Sequence, residues 1–413
     1  MAIVGKLKRF LIQGTFFYHI NNRISKIFKG TRKGIDNAIA LMLRKACYSK
    51  GAIANNKIFV MTFENSFTCN PKYIVEELLK KDPSLDIVWT IPVKKTKFKY
   101  NFPRGVRTVD RGTMEMFEEQ ASAKIWIDNA LNCVWFGIPK KRGQVYFNTW
   151  HGSMGIKRLS GDFKWRRRAA KCNKLTDYCI TNSKFEEDVF RNEFWPDVRF
   201  LKFGHARNDI FFDEDRIGAA RKAVYDKYGL DEDTKILLYA PTFRDDGRGG
   251  FFNIDFEEIR QRLEERFGGN WIVIVRLHFK DRIKAGQIPF GDKIKNGGGY
   301  PDMQELMAAA DIGMTDYSSW AYDFILTGRP MFLYCPDLSY YEGGRGFYYP
   351  IETTPFPISK DQDTLLAQIE DFDTDRYKED VRRFLEDKGC YEEGNAAARS
   401  ADFILKIIKG DEQ

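Results

Sequence analysis

The sequence is poor in histidine, and its cysteines follow no metal-binding or disulfide pattern. Only four of the 413 residues are histidine, and the seven cysteines include no CxxC pair and no Cys/His cluster. An odd number of scattered cysteines argues against a disulfide-stabilised secreted domain and against a zinc site. We therefore expect reduced, mostly buried thiols in a cytosolic protein, with no obligatory metal or other cofactor.

Long apolar runs are also missing. The longest clean run near the start is AIALML at 38–43, whereas a membrane-spanning helix needs about 20 apolar residues. The earlier stretch FLIQGTFFYHI contains Gln13 and His19 and is followed by no small-residue cleavage site. Neither a transmembrane helix nor a signal peptide is therefore expected.

Acidic residues are nearly absent from residues 1–50, which hold eleven Lys or Arg and a single acid, Asp36. The chain's net charge is +8, so the other 363 residues sum to about −2, and nucleic-acid binding is disfavoured. Within residues 1–30, apolar positions recur every three or four residues between cations. This pattern predicts a basic amphipathic segment, residues 1–50, on an anionic membrane surface. The alternative is a helix docked on the protein's own core.

The length and the 43% hydrophobic content suit two globular domains rather than one core. Short apolar runs alternate with helical stretches, which predicts an α/β fold with parallel sheets. The pattern stops at a charged stretch, 213–234, and then restarts, so we expect two Rossmann-like doubly wound domains, 51–212 and 213–413. Eleven strands are predicted, at 57–63, 86–92, 106–110, 124–130, 145–150, 178–183, 198–204, 235–243, 271–279, 311–319 and 331–337.

Candidate site residues cluster where predicted strands end, which is where open parallel sheets bind ligands. His151 follows the fifth strand, and Gly152 and Gly155 allow a tight turn beside Ser153. A loop histidine with no chemical role is the alternative interpretation. The basic strip that continues this turn is typical of a solvated face, and it comprises Lys157, Arg158, Lys164, Arg166, Arg167, Arg168, Lys171 and Lys174.

Strand alternation is expected to put Arg276, His278 and Lys280 on one side of the ninth strand's end, where they need an anion.

Within the tenth segment, the strand is expected to end at Thr315 and Asp316, and a helix to begin near Ser318 and Ser319 and to stop at Gly328. The serines can cap that helix or cradle a phosphate with it.

Two further segments supply lesser candidates. YYEGGRGFYYP, 340–350, predicts a mobile loop in which Arg345 closes over phosphates, with a plain surface loop as the alternative. APTFRDD, 240–246, places Thr242, Arg244 and Asp245 at another strand end.

Several of these segments together resemble the CDP-glycerol:poly(glycerophosphate) glycerophosphotransferase family, the teichoic-acid-type polyol-phosphate transferases. The resemblance covers roughly residues 57–350 in the family's order. It departs where the family usually has threonine (here Ser153) and proline (here Ala206, after His205), so His205 inherits no role. The matching segments are FENSFTCNPKYIVEEL, NTWHGSMGIKRL, GHARND, LLYAPTFRDD, IVIVRLHFKDR, YPDMQELMAAADIGMTDYSSWAYDF and RPMFLYCPDLSYYEGGRGFYYP.

The resemblance implies a GT-B-like fold and a place on the cytoplasmic face of the bacterial membrane. The second domain would bind CDP-glycerol or CDP-ribitol, while a lipid-linked glycan or polyol-phosphate acceptor approaches the first domain. His151 would be the general base, His278 with Arg276 and Lys280 would contact the diphosphate, and Asp316 would hold the polyol or orient a histidine. Further donor contacts would come from Gly152, Ser153, Thr242, Arg244, Thr315, Ser318, Ser319 and Arg345.

Two other functions share parts of this pattern. A GT-B glycosyltransferase that uses a nucleotide sugar would have the same fold and the same strand-end cations. A non-catalytic membrane-surface adaptor would keep the fold but bind no nucleotide. Which polyol is transferred, whether one unit or many are added, and whether the product is teichoic acid or capsule do not follow from the sequence.

Overall fold

The computed structural model describes residues 51–63, 66–91, 102–132, 139–159, 163–244, 254–278, 286–344 and 346–411, together with residues 42, 46 and 48. Apart from those three residues, the predicted membrane segment, 1–50, lies outside this part of the chain. Asp245, Lys280 and Arg345 lie outside it too. Within the described ranges, no helix combines the length and the apolarity that crossing a bilayer requires.

The first sheet has seven parallel strands in the order β3–β2–β1–β4–β5–β6–β7. Its strands are β1 (Ala54–Met61), β2 (Asp86–Ile91), β3 (Val106–Asp110), β4 (Ala123–Asp128), β5 (Val145–Asn148), β6 (Tyr178–Ile180) and β7 (Arg199–Leu201). Its helices are α1 (Cys69–Lys81), α2 (Met114–Ser122), α3 (Phe163–Asn173) and α4 (Lys184–Glu193), followed by a 3-10 helix at Ala206–Phe212.

Side-chain alternation in β1 shows why this sheet is buried on both faces. Ile58 and Val60 belong to one apolar core, whereas Phe59 and Met61 belong to the core on the opposite face. All four side chains are fully buried. Because successive side chains of a strand point to opposite faces, a continuous apolar run requires cover on both sides of the sheet.

The second sheet has six parallel strands in the order β10–β9–β8–β11–β12–β13. Its strands are β8 (Thr234–Tyr239), β9 (Asn270–Val275), β10 (Ile294–Asn296), β11 (Ile312–Thr315), β12 (Met331–Tyr334) and β13 (Ile358–Ser359). The accompanying helices are α5 (Glu214–Tyr228), α6 (Phe256–Phe267), α7 (Met303–Ala309), α8 (Trp320–Phe324), α9 (Leu338–Gly344), α10 (Gln362–Glu370), α11 (Thr374–Lys388) and α12 (Ala396–Lys409).

All eleven predicted strands are present, and the predicted α/β architecture of two parallel sheets is confirmed. One local prediction was wrong, because the segment expected to be a mobile loop begins with helix α9. The reason is packing: Leu338 and Tyr341 are buried, and the Tyr341 ring stacks on Tyr317 with centroids 4.0 Å apart. Two of the glycines that suggested mobility, Gly343 and Gly344, are the last residues of this helix.

The two sheets are joined by direct contacts. After α9, residues 346–349 run alongside residues 154–159 of the first domain. There the Tyr348 N–H donates to the Ile156 carbonyl (2.8 Å). The C-terminal helix α12 returns to the first sheet, where Phe403 packs on Phe147 and Tyr178. The division at 212/213 therefore stays a prediction, with α12 packed against the N-terminal half.

Each sheet reverses its strand order once, between β1 and β4 in the first and between β8 and β11 in the second. The crevice beyond the strand ends at such a reversal is the usual ligand site of open α/β sheets. The two reversals therefore mark where side chains with a chemical role are expected.

Candidate active site

A strained turn carries His151 into position. β5 ends at Asn148, and Trp150 adopts a left-handed backbone with φ of 48°, which is costly for a bulky residue. The Asn148 side chain accepts from the Trp150 N–H (2.8 Å), and Asn70 donates to the Thr149 carbonyl (2.8 Å). Strain that the surroundings maintain in this way is typical of functional sites.

The His151 imidazole is oriented by one hydrogen bond and two aromatic rings. Nδ1 lies 2.5 Å from the Asn129 carbonyl oxygen, so Nδ1 carries the hydrogen and Nε2 is the basic nitrogen. The ring packs on Phe63 and Trp150, with centroid distances of 4.5 and 4.8 Å. Phe63 follows β1 and Asn129 follows β4, so His151 lies at the reversal of the first sheet.

Electrostatics keep His151 neutral at physiological pH. Burial lowers the pKa of His151 to about 4, and the positive charges of Arg207 and Lys157 act in the same direction. The hydrogen bond to the Asn129 carbonyl opposes this shift but does not outweigh it. His151 is therefore unprotonated in the resting protein, as a general base must be.

The Arg207 side chain anchors the turn that carries His151. Its guanidinium donates to the carbonyl oxygens of His151 (2.7 Å) and Gly152, and it forms a salt bridge with Asp323 of the second domain (2.8 Å). Arg207 is only 5% exposed. Since Asp323 belongs to α8, this arginine connects the histidine turn to the second sheet's domain.

A cavity of about 200 Å³ opens beside this turn and is lined by both domains. The first domain contributes His151, Ser153 and Lys157, and Ser153 Oγ accepts a hydrogen bond from the Asn182 amide (2.8 Å). The second domain contributes its own polar side chains, which are Tyr317, Ser319 and Tyr348. A neutral imidazole, hydroxyls and an ammonium group thus share one space, a combination suited to a hydroxyl nucleophile and a phosphate.

At the reversal of the second sheet, Arg244 is held entirely by the protein. It bonds bidentately to Asp337 (2.7 and 3.0 Å), and it contacts Asp316 (2.8 Å) and the Thr242 carbonyl (2.8 Å). Asp316 also accepts the backbone N–H groups of Thr242 (2.8 Å) and Tyr317 (2.6 Å). Arg244 and Asp316 are therefore buried side chains that bind each other and hold the backbone of the loop around Thr242.

Thr315 and Thr242 differ in how their hydroxyls are used. Thr315 is fully buried and donates to the Ala240 carbonyl (2.7 Å), so its hydroxyl already has a protein partner. The Thr242 hydroxyl is buried and has no hydrogen-bond partner within the described residues. A buried hydroxyl in that state usually has a missing partner such as a ligand or a water.

Ser318 is half-buried, and its carbonyl accepts from Ala321 N–H (3.3 Å).

The expected alternation of Arg276 and His278 along a strand was wrong, because β9 ends at Val275. Arg276 donates to the carbonyls of Gly297 (3.1 Å) and Tyr300 (2.5 Å), which anchors the segment after β10. His278 stacks on Phe243 at 5.4 Å, and within the described residues it is not part of the cavity lining. A donor contact by His278 stays a prediction, as do those of Lys280 and Arg345.

Sequence reasoning missed several buried residues that hold the site together, and two of them, His205 and Glu186, form an ion pair. His205 Nε2 lies 3.0 Å from the Glu186 carboxylate, and the two side chains are 0% and 2% exposed. Burial lowers the pKa of His205, but the Glu186 charge outweighs it and raises the pKa above its usual value. Glu186 also lines the cavity. The only sequence signal was that Asn129 and Asn182 lie near the ends of predicted strands and that Arg207 follows one.

Within the described residues, no group of three His, Cys, Asp or Glu side chains could hold a metal ion. The prediction that no metal is obligatory stays open to experiment. What the described side chains do offer is a base, hydroxyl donors and a cation around one cavity.

Comparison with known proteins gives consistent matches. Residues 45–406 match the family model described as CDP-Glycerol:Poly(glycerophosphate) glycerophosphotransferase. The chain is 27% identical to the teichoic acid poly(glycerol phosphate) polymerase of Staphylococcus epidermidis, over 94% of this chain and 57% of that protein. It is 28% identical to the polymerase of the same name from Bacillus spizizenii, over 84% of this chain and 91% of that protein.

A solved structure of a wall teichoic acid polymerase TagF variant, soaked with CDPG, is 26% identical with a TM-score of 0.79. The superposition covers 92% of this chain and 98% of that one. This similarity confirms the predicted GT-B-like fold.

Proposed function

Because the chain belongs to the CDP-glycerol:poly(glycerophosphate) glycerophosphotransferase family, we propose that it transfers glycerol phosphate, or a related polyol phosphate, from CDP-glycerol to a lipid-linked acceptor. Membership confirms the resemblance and the enzyme class that the motifs predicted. The chain spans 57% of the first relative's length, so its substrates and partners are proposals. CDP-ribitol is the other donor of the same chemistry.

In the proposed step, an acceptor hydroxyl attacks the phosphorus that carries the glycerol. Nε2 of His151 takes the hydroxyl proton, a new P–O bond forms, and the P–O bond to CMP breaks. CMP leaves with the electron pair, and its negative charge needs nearby donors. General-base assistance of this kind contributes roughly 10²–10⁴-fold to the rate.

Other residues of the cavity support the phosphates in this proposal. Ser153 and Ser319 line the cavity from opposite domains, and Lys157 adds a positive charge. Thr242 is not part of the cavity lining, but it offers a buried hydroxyl that has no hydrogen-bond partner among the described residues. Asp316 and Arg244 act indirectly in this proposal, because they hold the backbone of the Thr242 loop in place.

One observation carries the proposal: a histidine with Nδ1 bonded to a backbone carbonyl lines a cavity that both domains form. This arrangement fixes the tautomer, and the lowered pKa of about 4 leaves Nε2 unprotonated at neutral pH. A purely structural histidine would not need a strained turn and an arginine clamp to face a cavity.

The direct test is a donor screen. The protein is incubated with CDP-glycerol, CDP-ribitol and UDP-sugars together with a lipid-linked acceptor, and the mass of the extended acceptor is measured. Release of CMP with an acceptor gain of one or more polyol-phosphate units supports the proposal. Release of UDP with a gain of one sugar would instead identify a glycosyltransferase.

We also propose peripheral association with the cytoplasmic face of the membrane through residues 1–50. The eleven cations of that segment support attraction to anionic lipids. Sedimentation with phosphatidylglycerol vesicles tests this proposal, and glutamine substitution of those cations should weaken binding.

Full turnover after EDTA treatment would support the absence of an obligatory metal.

A further inference from the structure

Helix α3 carries a row of exposed cations that the proposed reaction does not use. Lys164, Arg167, Lys171 and Lys174 follow one another at intervals of three or four residues, and all four are exposed. Residues three, four and seven apart share one face of a helix. We call these four residues the α3 cation row. Lys174 lies one residue beyond the helix, which spans Phe163–Asn173.

The opposite face of α3 packs tightly against the wall of the candidate site. Ala169 and Cys172 are buried in the core that also contains Trp150. Trp165 packs edge-on against Phe194 (5.3 Å), and Phe194 packs on Trp150 (5.5 Å), the neighbour of His151. The helix is therefore anchored to the same aromatic cluster that supports the base.

The cation row also lies next to the cavity along the chain. Leu159 lines the cavity, and α3 begins four residues later. From Lys164 to Lys171 the helix rises about 10 Å, at 1.5 Å per residue. At the far end of the helix, Asn173 donates to Asp197 (2.6 Å), which places an acid near the C-terminal end of the row.

Like charges on one helix face repel each other and destabilise the helix slightly, so such a row needs a counter-charge. We propose that the α3 cation row binds the phosphodiester chain of the acceptor while the chain's terminal hydroxyl lies at His151. The proposal rests on the function proposed above and makes it more specific, since it requires an acceptor that already carries several negative charges. A repeating anion fits a repeating row of cations, and it steers encounter as well as binding.

An anionic bilayer is the other partner that such cations attract, but the described side chains of α3 include no exposed large apolar residue. An interfacial helix inserts large apolar side chains below its cations. Within the described residues, the exposed large apolar side chains are Met42, Tyr48, Phe63, Phe212 and Tyr340, and none of them belongs to α3. A flexible polyanionic chain requires only the cations.

The test compares two variants of equal charge change in the 413-residue chain. The row variant carries Lys164→Gln, Arg167→Gln, Lys171→Gln and Lys174→Gln. The control variant carries Lys222→Gln, Lys227→Gln, Lys378→Gln and Lys406→Gln, which are exposed lysines on α5, α11 and α12. Exposed substitutions of this kind leave the fold nearly unchanged, and thermal unfolding checks this for both variants.

Binding of a labelled poly(glycerol phosphate) chain is measured without donor over a range of salt concentrations. Counterion release predicts that the row variant binds at least tenfold more weakly at low salt, with a slope of log K against log salt shallower by about 3. The control variant should bind like the wild type. An unchanged affinity in the row variant, or an equal loss in both variants, would overturn the proposal.

Turnover and vesicle binding separate the remaining outcomes. With CDP-glycerol, the row variant should show at least a tenfold higher KM for a long acceptor chain, and a kcat/KM within about twofold of wild type for an acceptor of one unit. Loss of phosphatidylglycerol vesicle binding with intact chain binding would mean that the row contacts membrane, and the proposal fails. Weakened chain binding in the row variant, with no CMP release by wild type, supports the row and overturns only the proposed reaction.

Discussion

At the scale of single residues, His151 and His205 experience opposite electrostatic surroundings. Burial lowers the pKa of His151 to about 4, because its hydrogen-bond partner is a neutral carbonyl and its charged neighbours are cations. His205 is fully buried as well, yet the carboxylate of Glu186 at 3.0 Å raises its pKa. The first residue is thus a neutral base, while the second is half of a buried ion pair.

The His205–Glu186 pair should make stability depend on pH. A histidine whose pKa is raised by folding contributes its full stabilisation below the unfolded pKa, about 6.5, and loses it as pH rises through the folded value. The free energy of unfolding should therefore fall as pH is raised above about 6.5. His205→Ala should cost about 3–5 kcal/mol at pH 6, because it leaves Glu186 as a buried, unpaired carboxylate. Urea denaturation over a pH series measures both effects.

His278→Ala is the matched control for this series, since it removes the same kind of side chain from a half-buried position, where the ring stacks on Phe243. It should keep the wild-type slope of stability against pH. A His205 variant with an unchanged slope would show that the buried pair is not the titrating group.

At the scale of local elements, the turn after His151 depends on glycine where the two domains approach each other. A Cβ on Gly155 would lie 3.1 Å from Ser319 Cβ and 3.4 Å from Ser319 Cα. The backbone at the mouth of the cavity would have to shift by a few tenths of an ångström. Gly155→Ala should therefore lower kcat by about tenfold or more, since small misplacements of reacting groups are costly. Steady-state CMP release measures the effect.

Gly218→Ala is the corresponding control, because a Cβ at Gly218 meets nothing within 4 Å. Gly218 lies in α5, where alanine is favoured over glycine by up to about 1 kcal/mol. This variant should keep wild-type turnover with equal or higher stability. If Gly155→Ala also turned over normally, the close approach to Ser319 would not matter for catalysis.

Local sequence pattern predicted the strong elements and missed the weak ones. β8 and β9 were found because their apolar residues run almost without interruption, whereas the edge strands β10 and β13 have only three and two residues. Helix α9 was taken for a loop because its glycines hid the packing of Tyr341 on Tyr317. These elements are decided by tertiary contacts that a short window of sequence does not contain.

The residues of the candidate active site also divide into those that the sequence predicted and those that it missed. His151 and Ser319 were predicted from strand ends and both line the cavity. Arg244 and Asp316 were also at strand ends, but they pair with each other in the structure. Arg207 was missed because its partners, the carbonyls of His151 and Gly152 and the carboxylate of Asp323, are far away in sequence. Spacing along the chain identifies polar strand ends without saying which of them neutralise one another.

At the scale of the whole molecule, a partly buried ion pair joins the two domains away from the cavity. Lys72 of α1 contacts Asp302 (2.5 Å) and Glu305 (3.1 Å) beside α7, and Tyr73 also donates to Asp302 (3.3 Å). Asp302 is 2% exposed and caps α7 by accepting from Gln304 N–H. The pair therefore couples the first sheet's domain to the second.

Removing Lys72 should loosen this junction. Lys72→Met leaves the Asp302 carboxylate buried without its cation, so we expect a loss of about 3–5 kcal/mol in the free energy of unfolding. Lys222→Met, which removes an exposed pair with Asp226, is the control and should change stability by about 0.5 kcal/mol or less. Equal effects in urea denaturation would mean that the interdomain pair contributes no more than a surface pair.

The central claim is that His151 removes the acceptor's proton, and His151→Ala tests it most directly. Turnover and CDP-glycerol affinity are measured on the same preparation, by CMP release and by calorimetry. We predict a fall in kcat of about 10²–10⁴-fold, because general-base assistance is lost, with a donor Kd close to that of the wild type. Wild-type turnover in this variant would contradict the account.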